Sequence, residues 1–218
     1  MECFFIVTVL WVLSVCLHEF CHAWAADAGG DYTVREKGYL TLNPLRYAHP
    51  VYSLLMPVIF MMLGGIGLPG GAVYINRSLL RSRAWDTWVS LAGPAANVAF
   101  ILVISLAFKT GLVPKDNHLA KVSLGFLMQL QISALLLNLL PVPPLDGFQA
   151  LAPWMPTDLR ERLYAASNYT MLFLFLALWY VAPLNDALWT AVFSISNALG
   201  VDPHLGLSGW REFRFWER

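Results

Sequence analysis

Leu10-Trp11-Val12-Leu13-Ser14-Val15-Cys16-Leu17-His18-Glu19-Phe20-Cys21-His22-Ala23-Trp24 decides how the rest of this chain is read. It places two histidines and a glutamate in a segment apolar enough to lie in a bilayer, where ionisable groups are costly and mark function or a partner. On an α-helix, residues four apart differ by about 40° in direction and about 6 Å in rise, so His18 and His22 share a face and can grip one ion. Glu19 projects within about 60° of His22, near enough to a metal-bound water to act as a base without being a ligand. The plainer reading is a pair of core histidines bonded to neighbouring helices, which hydrocarbon disfavours because every polar group there needs a partner.

Composition agrees with a membrane setting. The 218 residues are 58% hydrophobic, 13% charged and 14% aromatic, with nine Trp and a mean hydropathy of +0.58. A length of this order suits one membrane-embedded domain, read as a core over 1–150 with C-terminal helices over 151–218. Zero net charge offers nothing to nucleic acid. Cys3, Cys16 and Cys21 fall in or beside the first apolar segment and suit packed thiols better than a disulfide framework or zinc ribbon. The uncharged run from Cys3 to Leu17, followed by Ala23-Trp24-Ala25-Ala26-Asp27-Ala28, imitates a signal peptide. It has Glu2 and no basic residue before it, so a retained helix over about 3–26 is the expectation.

The fold expected is all-α and polytopic, with about five to six membrane segments and short β-strands near the site. Gly29-Gly30, then Tyr32-Thr33-Val34 and Tyr39-Leu40-Thr41-Leu42-Asn43-Pro44 predict a β-hairpin within 27–50. Residues 51–69 are apolar but broken by Pro57, Gly64-Gly65 and Pro69, and 70–76 read as another short strand. Further apolar stretches cover about 85–108, 120–140, 169–184 and, more weakly, 186–200.

Arg35, Lys37, Arg46, Arg77, Arg81 and Arg83 flank segment 51–69 on both sides, so both loops belong in the cytoplasm and the segment is read as re-entrant. The first helix then runs inward, and Asp146 arrives at the His18/His22 end. Lys109, Lys115 and Lys121 in the loop assigned outside count against this orientation.

A catalytic zinc takes three protein ligands and keeps one open position, which leaves the histidine pair one short. Asp146 is the third candidate: in Asn138-Leu139-Leu140-Pro141-Val142-Pro143-Pro144-Leu145-Asp146-Gly147 the prolines end an apolar helix and present a carboxylate at the break. The alternative is an Asp that caps the following helix. His49, His118 and His204 compete as ligands, the last two from polar loops.

Taken in order, His18-Glu19-Phe20-Cys21-His22, Leu42-Asn43-Pro44-Leu45-Arg46, Gly93-Pro94-Ala95-Ala96-Asn97 and Asn138 through Gly147 resemble the site-2 proteases, zinc metalloproteases that cleave transmembrane segments within the membrane. The likeness covers about residues 10–150 and is to the short subgroup without PDZ or CBS domains. It implies that His18, His22 and Asp146 hold one Zn2+ and that Glu19 activates water. Tyr47 and His49 stand where relatives of that subgroup commonly carry His and Asp.

Asn97 and Asn138, amides within apolar helices, must find partners. Asn138 is read either as a contact to substrate backbone or oxyanion or as an interhelical bond, and Asn97 as helix packing ahead of a substrate contact. The function expected is a zinc metalloendopeptidase of regulated intramembrane proteolysis. It would act on a transmembrane protein substrate from the cytoplasmic side of a plasma membrane, the substrate adding as a strand at 38–42 or 71–76. A zinc-binding transporter, an inactive pseudoprotease and a metal-free scaffold are the competing classes. The tail Trp210–Arg218 reads as an interfacial anchor.

Overall fold

The computed structural model describes residues 1–43, 46 and 73–217, apart from the side chains of Asn168 and Met171. Helix α1 spans Glu2–Gly29 without a break and stops where Gly30 turns left-handed at φ 118°, its N–H meeting the carbonyls of Ala26 and Asp27. The helix expected over about 3–26 is therefore present and four residues longer. Thr33–Glu36 forms one turn, α2. Helix α3 is Arg83–Lys109, opened by Ser82, whose hydroxyl accepts from Trp85 N–H. Helix α4 is His118–Asn138, opened by Asn117 accepting from Ala120 N–H. After the proline-rich break come α5 (Asp146–Leu151), α6 (Thr157–Ala165), α7 (Ser167–Tyr180), α8 (Ala182–Ala198) and α9 (Pro203–Phe213).

Three helices, α1, α3 and α4, are long and apolar enough to cross a membrane; Leu172–Tyr180 of α7 and α8, bent by 89° at Val181, make a fourth if taken as one broken span. The protein is thus an all-helical membrane protein with three to four candidate spans among the described residues, which does not confirm the five to six segments expected over the whole chain. The re-entrant segment 51–69 lies outside the described residues.

The predicted hairpin is corrected. Through Asn43 the chain is the end of α1, the turn α2 and a run of bends, and no strand forms among the described residues. Asp31 explains why: fully buried, it accepts from Thr33 N–H (3.1 Å) and Thr33 Oγ1 (2.6 Å) and so nucleates the turn instead. Its other oxygen takes the Asn76 N–H at 2.6 Å. Residues 73–76, expected as part of another short strand, form none either; the Val73 and Asn76 N–H groups are tied to the buried carboxylates of Glu19 and Asp31.

Helix α4 sits at the centre, with Phe126, Leu127, Met128, Gln129, Leu130, Gln131 and Ile132 all buried. Because lipid is as apolar as leucine, close packing has to hold such helices together. Helix α9 packs this way: a Cβ on Gly209 would strike the Val122 carbonyl, and one on Gly206 the Gln129 amide. The tail expected as an anchor docks on the protein itself, with Phe213 fully buried against Phe4 and Phe126 and Arg214 stacked 3.9 Å over the Trp210 ring.

Candidate metal centre

His18 and His22 stand one turn apart on α1, both under 9% exposed, with their Nε2 atoms 3.1 Å from each other. Asp146, the first residue of α5, places Oδ2 3.1 Å from His18 Nε2 and Oδ1 3.4 Å from His22 Nε2. One ligand atom from each lies within 4.8 Å of the others, and no other such group of His, Cys, Asp or Glu exists among the described residues. His118 pairs instead with Glu212 at 2.8 Å on the surface, His204 is exposed, and His49 lies outside the described residues.

Gly147 explains how Asp146 arrives. A Cβ there would run into the backbone of Leu139, so only glycine lets α5 fold back on the end of α4 and carry its first carboxylate to α1.

Helix α3 completes the setting. His22 Nδ1 meets the Val89 carbonyl at 2.6 Å, and a carbonyl can only accept, so this nitrogen carries the proton. His18 Nδ1 meets Asn97 Oδ1 at 2.5 Å. With both Nδ1 atoms so engaged, both Nε2 lone pairs face Asp146, the tautomer a metal requires. Asn97 Nδ2 donates to Gln131 Oε1 (2.8 Å), Gln131 Nε2 to Ser14 Oγ (2.5 Å), and Ser14 Oγ to the Trp11 carbonyl (2.7 Å). The chain of bonds leaves α1 at His18, crosses α3 and α4, and returns to α1. Both ends of the Asn97 amide are thereby engaged inside the protein. Asn138, 4% exposed at the end of α4, has no side-chain hydrogen bond to a described residue.

Two features escaped the sequence reading. Gly93 faces the site: a Cβ on it would collide with Nε2 of both histidines. Gln131 gave no signal, since a lone glutamine in an apolar helix does not reveal its partners. Glu19 is 5% exposed, and its Oε2 accepts from Val73 N–H at 3.0 Å, so the chain at Val73 is pinned to the carboxylate beside His18 and His22.

Two nitrogens and a carboxylate converging in a buried gap, with room left by a glycine and a glutamate alongside, fit a zinc ion that keeps an open coordination position. Set between helices of membrane-crossing length, they define a membrane metalloenzyme. The comparisons with known proteins agree. The chain is 40% identical over 213 residues to the "putative zinc metalloprotease Rip2" of Mycobacterium tuberculosis, covering 98% of this chain and 81% of that one. It is equally similar to the protein of that name in Mycolicibacterium smegmatis, and 29% identical over 190 residues to YwhC of Bacillus subtilis, which is named in the same terms and covered to 84%. No protein-family model and no solved structure matches the chain. The chain belongs to the zinc metalloproteases of the site-2 protease type.

Proposed function

We propose that the protein is an intramembrane endopeptidase that hydrolyses peptide bonds in or near transmembrane segments of other membrane proteins. The observation that carries this is Glu19, buried beside a three-ligand site on a membrane-length helix. His18 Nε2, His22 Nε2 and Asp146 hold the zinc, which when bound lowers the pKa of its water and polarises a carbonyl. Glu19 takes the proton from the attacking water on the oxygen that Val73 does not engage, and returns it to the leaving amine. The Val73 bond fixes the carboxylate's orientation. Asn97, through its bond to His18 Nδ1, keeps that ring in its ligating tautomer. Asn138, buried and without a described partner, is the amide available to the substrate backbone or to the developing oxyanion. The site lies about 16 Å along α1 from Gly29 and about 24 Å from Glu2, so it is nearer the end rich in Arg and Lys; by the positive-inside rule that end is cytoplasmic.

A transmembrane substrate must unwind to expose a peptide bond, and the non-helical backbone at 73–76, beside Glu19, offers an edge to receive it. Two of its amides, those of Val73 and Asn76, are already committed to Glu19 and Asp31.

The test compares the wild-type chain with Glu19→Gln in purified form and in cells. Both should carry one zinc per chain by mass spectrometry. New protein termini inside transmembrane segments, mapped by quantitative membrane proteomics, should appear with the wild type alone. The same termini from both chains would overturn the assignment of Glu19 and of hydrolysis here, and a zinc-free, folded wild type would overturn the metal site.

A further inference from the structure

A second cavity, of about 550 Å3, lies outside the metal centre, between the 3-10 turn Arg77–Leu79, the first turns of α3, and α5–α6. That volume falls within the range of sites that hold small molecules. Its polar lining is Arg77, Ser78, Asp86, Gln149, Arg160 and Tyr164. The Arg77 guanidinium is paired with Asp86 and also donates to Ser90 Oγ at 3.1 Å. Arg160, half-buried on α6, has no ion pair or side-chain hydrogen bond with a described residue. It lies close enough to act electrostatically on both Asp86 and Tyr164. Two arginines against one aspartate leave a single uncompensated positive charge in a lined space. Tyr164 donates to Gln149 Oε1 at 2.5 Å, and burial pushes its phenol up, so it remains a neutral hydroxyl.

The depth of the cavity selects the ligand. Trp88 and Trp154 are 66% and 60% exposed at this same end of α3, where Trp154 Nε1 also donates to Thr87 Oγ1 at 2.9 Å. Exposed tryptophans on a membrane protein sit at the level of the lipid headgroups. A singly charged phosphodiester at that level matches the one free guanidinium, whose fork suits phosphate oxygens. Resting on the reading of the chain as membrane-embedded, we propose that this cavity binds the phosphodiester of an anionic phospholipid, with Arg160 as its principal contact and Ser78 and Tyr164 beside it. Gln149 lies three residues beyond Asp146 on α5, and Thr87 Oγ1 donates to Ala150 O at 2.8 Å, so the occupant bears on the helix that supplies the third metal ligand.

The experiment uses the full, zinc-loaded chain in neutral detergent and native mass spectrometry with phosphatidylglycerol, phosphatidylcholine or inorganic phosphate added. Wild type should retain phosphatidylglycerol at least about tenfold more tightly than Arg160→Gln, with phosphatidylcholine binding weakly and alike to both. Tyr164→Phe should give a smaller loss. Unchanged zinc content shows that the variants are folded and keeps this test separate from that of the protease reading. Equal retention of phosphatidylglycerol by wild type and Arg160→Gln would overturn the proposal. So would Arg160-dependent binding of inorganic phosphate alone, or displacement of the lipid by a short acidic peptide at equal concentration, which would assign the cavity to a free anion or to a substrate's carboxylates.

Discussion

Asn97→Ala breaks the path that begins at His18. It removes the acceptor 2.5 Å from His18 Nδ1 and the donor 2.8 Å from Gln131 Oε1, and the space it leaves is buried. The ring can then rotate or exchange tautomers, and the ligating lone pair is no longer held toward Asp146. Loss of such an outer partner costs about 10–100-fold in metal affinity, or about 1.4–2.8 kcal/mol. Stranding Gln131 Oε1 adds about 1–3 kcal/mol of general destabilisation. Zinc affinity, measured in detergent by competition with a chelator of known strength, separates the two effects when Gln129→Ala is run alongside. Gln129 is equally buried on α4, but donates to the Pro203 carbonyl at 2.8 Å and lies off the path. Gln129→Ala should lower the melting temperature and leave zinc affinity alone; Gln131→Leu should weaken zinc less than Asn97→Ala does. Zinc affinity within twofold of wild type in Asn97→Ala would refute the reasoning, as would an equal loss in Gln129→Ala.

Gly93→Ala should abolish zinc binding while the helices persist by circular dichroism, because its methyl meets both Nε2 atoms; a zinc-replete variant would show that α3 can withdraw. Asp31→Ala frees the Asn76 and Thr33 amides and should cost about 1–3 kcal/mol, read as faster proteolysis near 73–76 before any global unfolding. Ile75→Pro should impair cleavage without loss of zinc if residues 73–76 receive the substrate, and full cleavage by this variant would exclude that edge. Val73→Pro is a poorer probe, since it also removes the bond to Glu19.

The grouping of His18, His22 and Asp146 was legible because its causes are local: His18 and His22 are fixed by helical periodicity, and the Pro-rich run before Asp146 marks where a helix must end. The long helices were equally legible from hydropathy. The hairpin was not, because Tyr32-Thr33-Val34 has strand propensity but Asp31 captures the Thr33 amide and hydroxyl, and a buried cap outweighs propensity in so short a segment. Asn97 showed an amide in need of a partner, yet that Gln131 would meet it depends on how three helices cross, and no single stretch of sequence records that. Gly93 could be read as small, but not as small for the sake of an ion.

The right-angled break at Val181 bears on the lipid around the protein. Helix α7 has 14 residues and α8 has 17, so they extend only about 21 and 26 Å, each less than the roughly 30 Å of a hydrocarbon core. With 89° between them, one can stand upright only if the other lies along the membrane plane. Leaning about 45° each, the two together rise about 33 Å, so the pair crosses such a core only when neither helix stands upright.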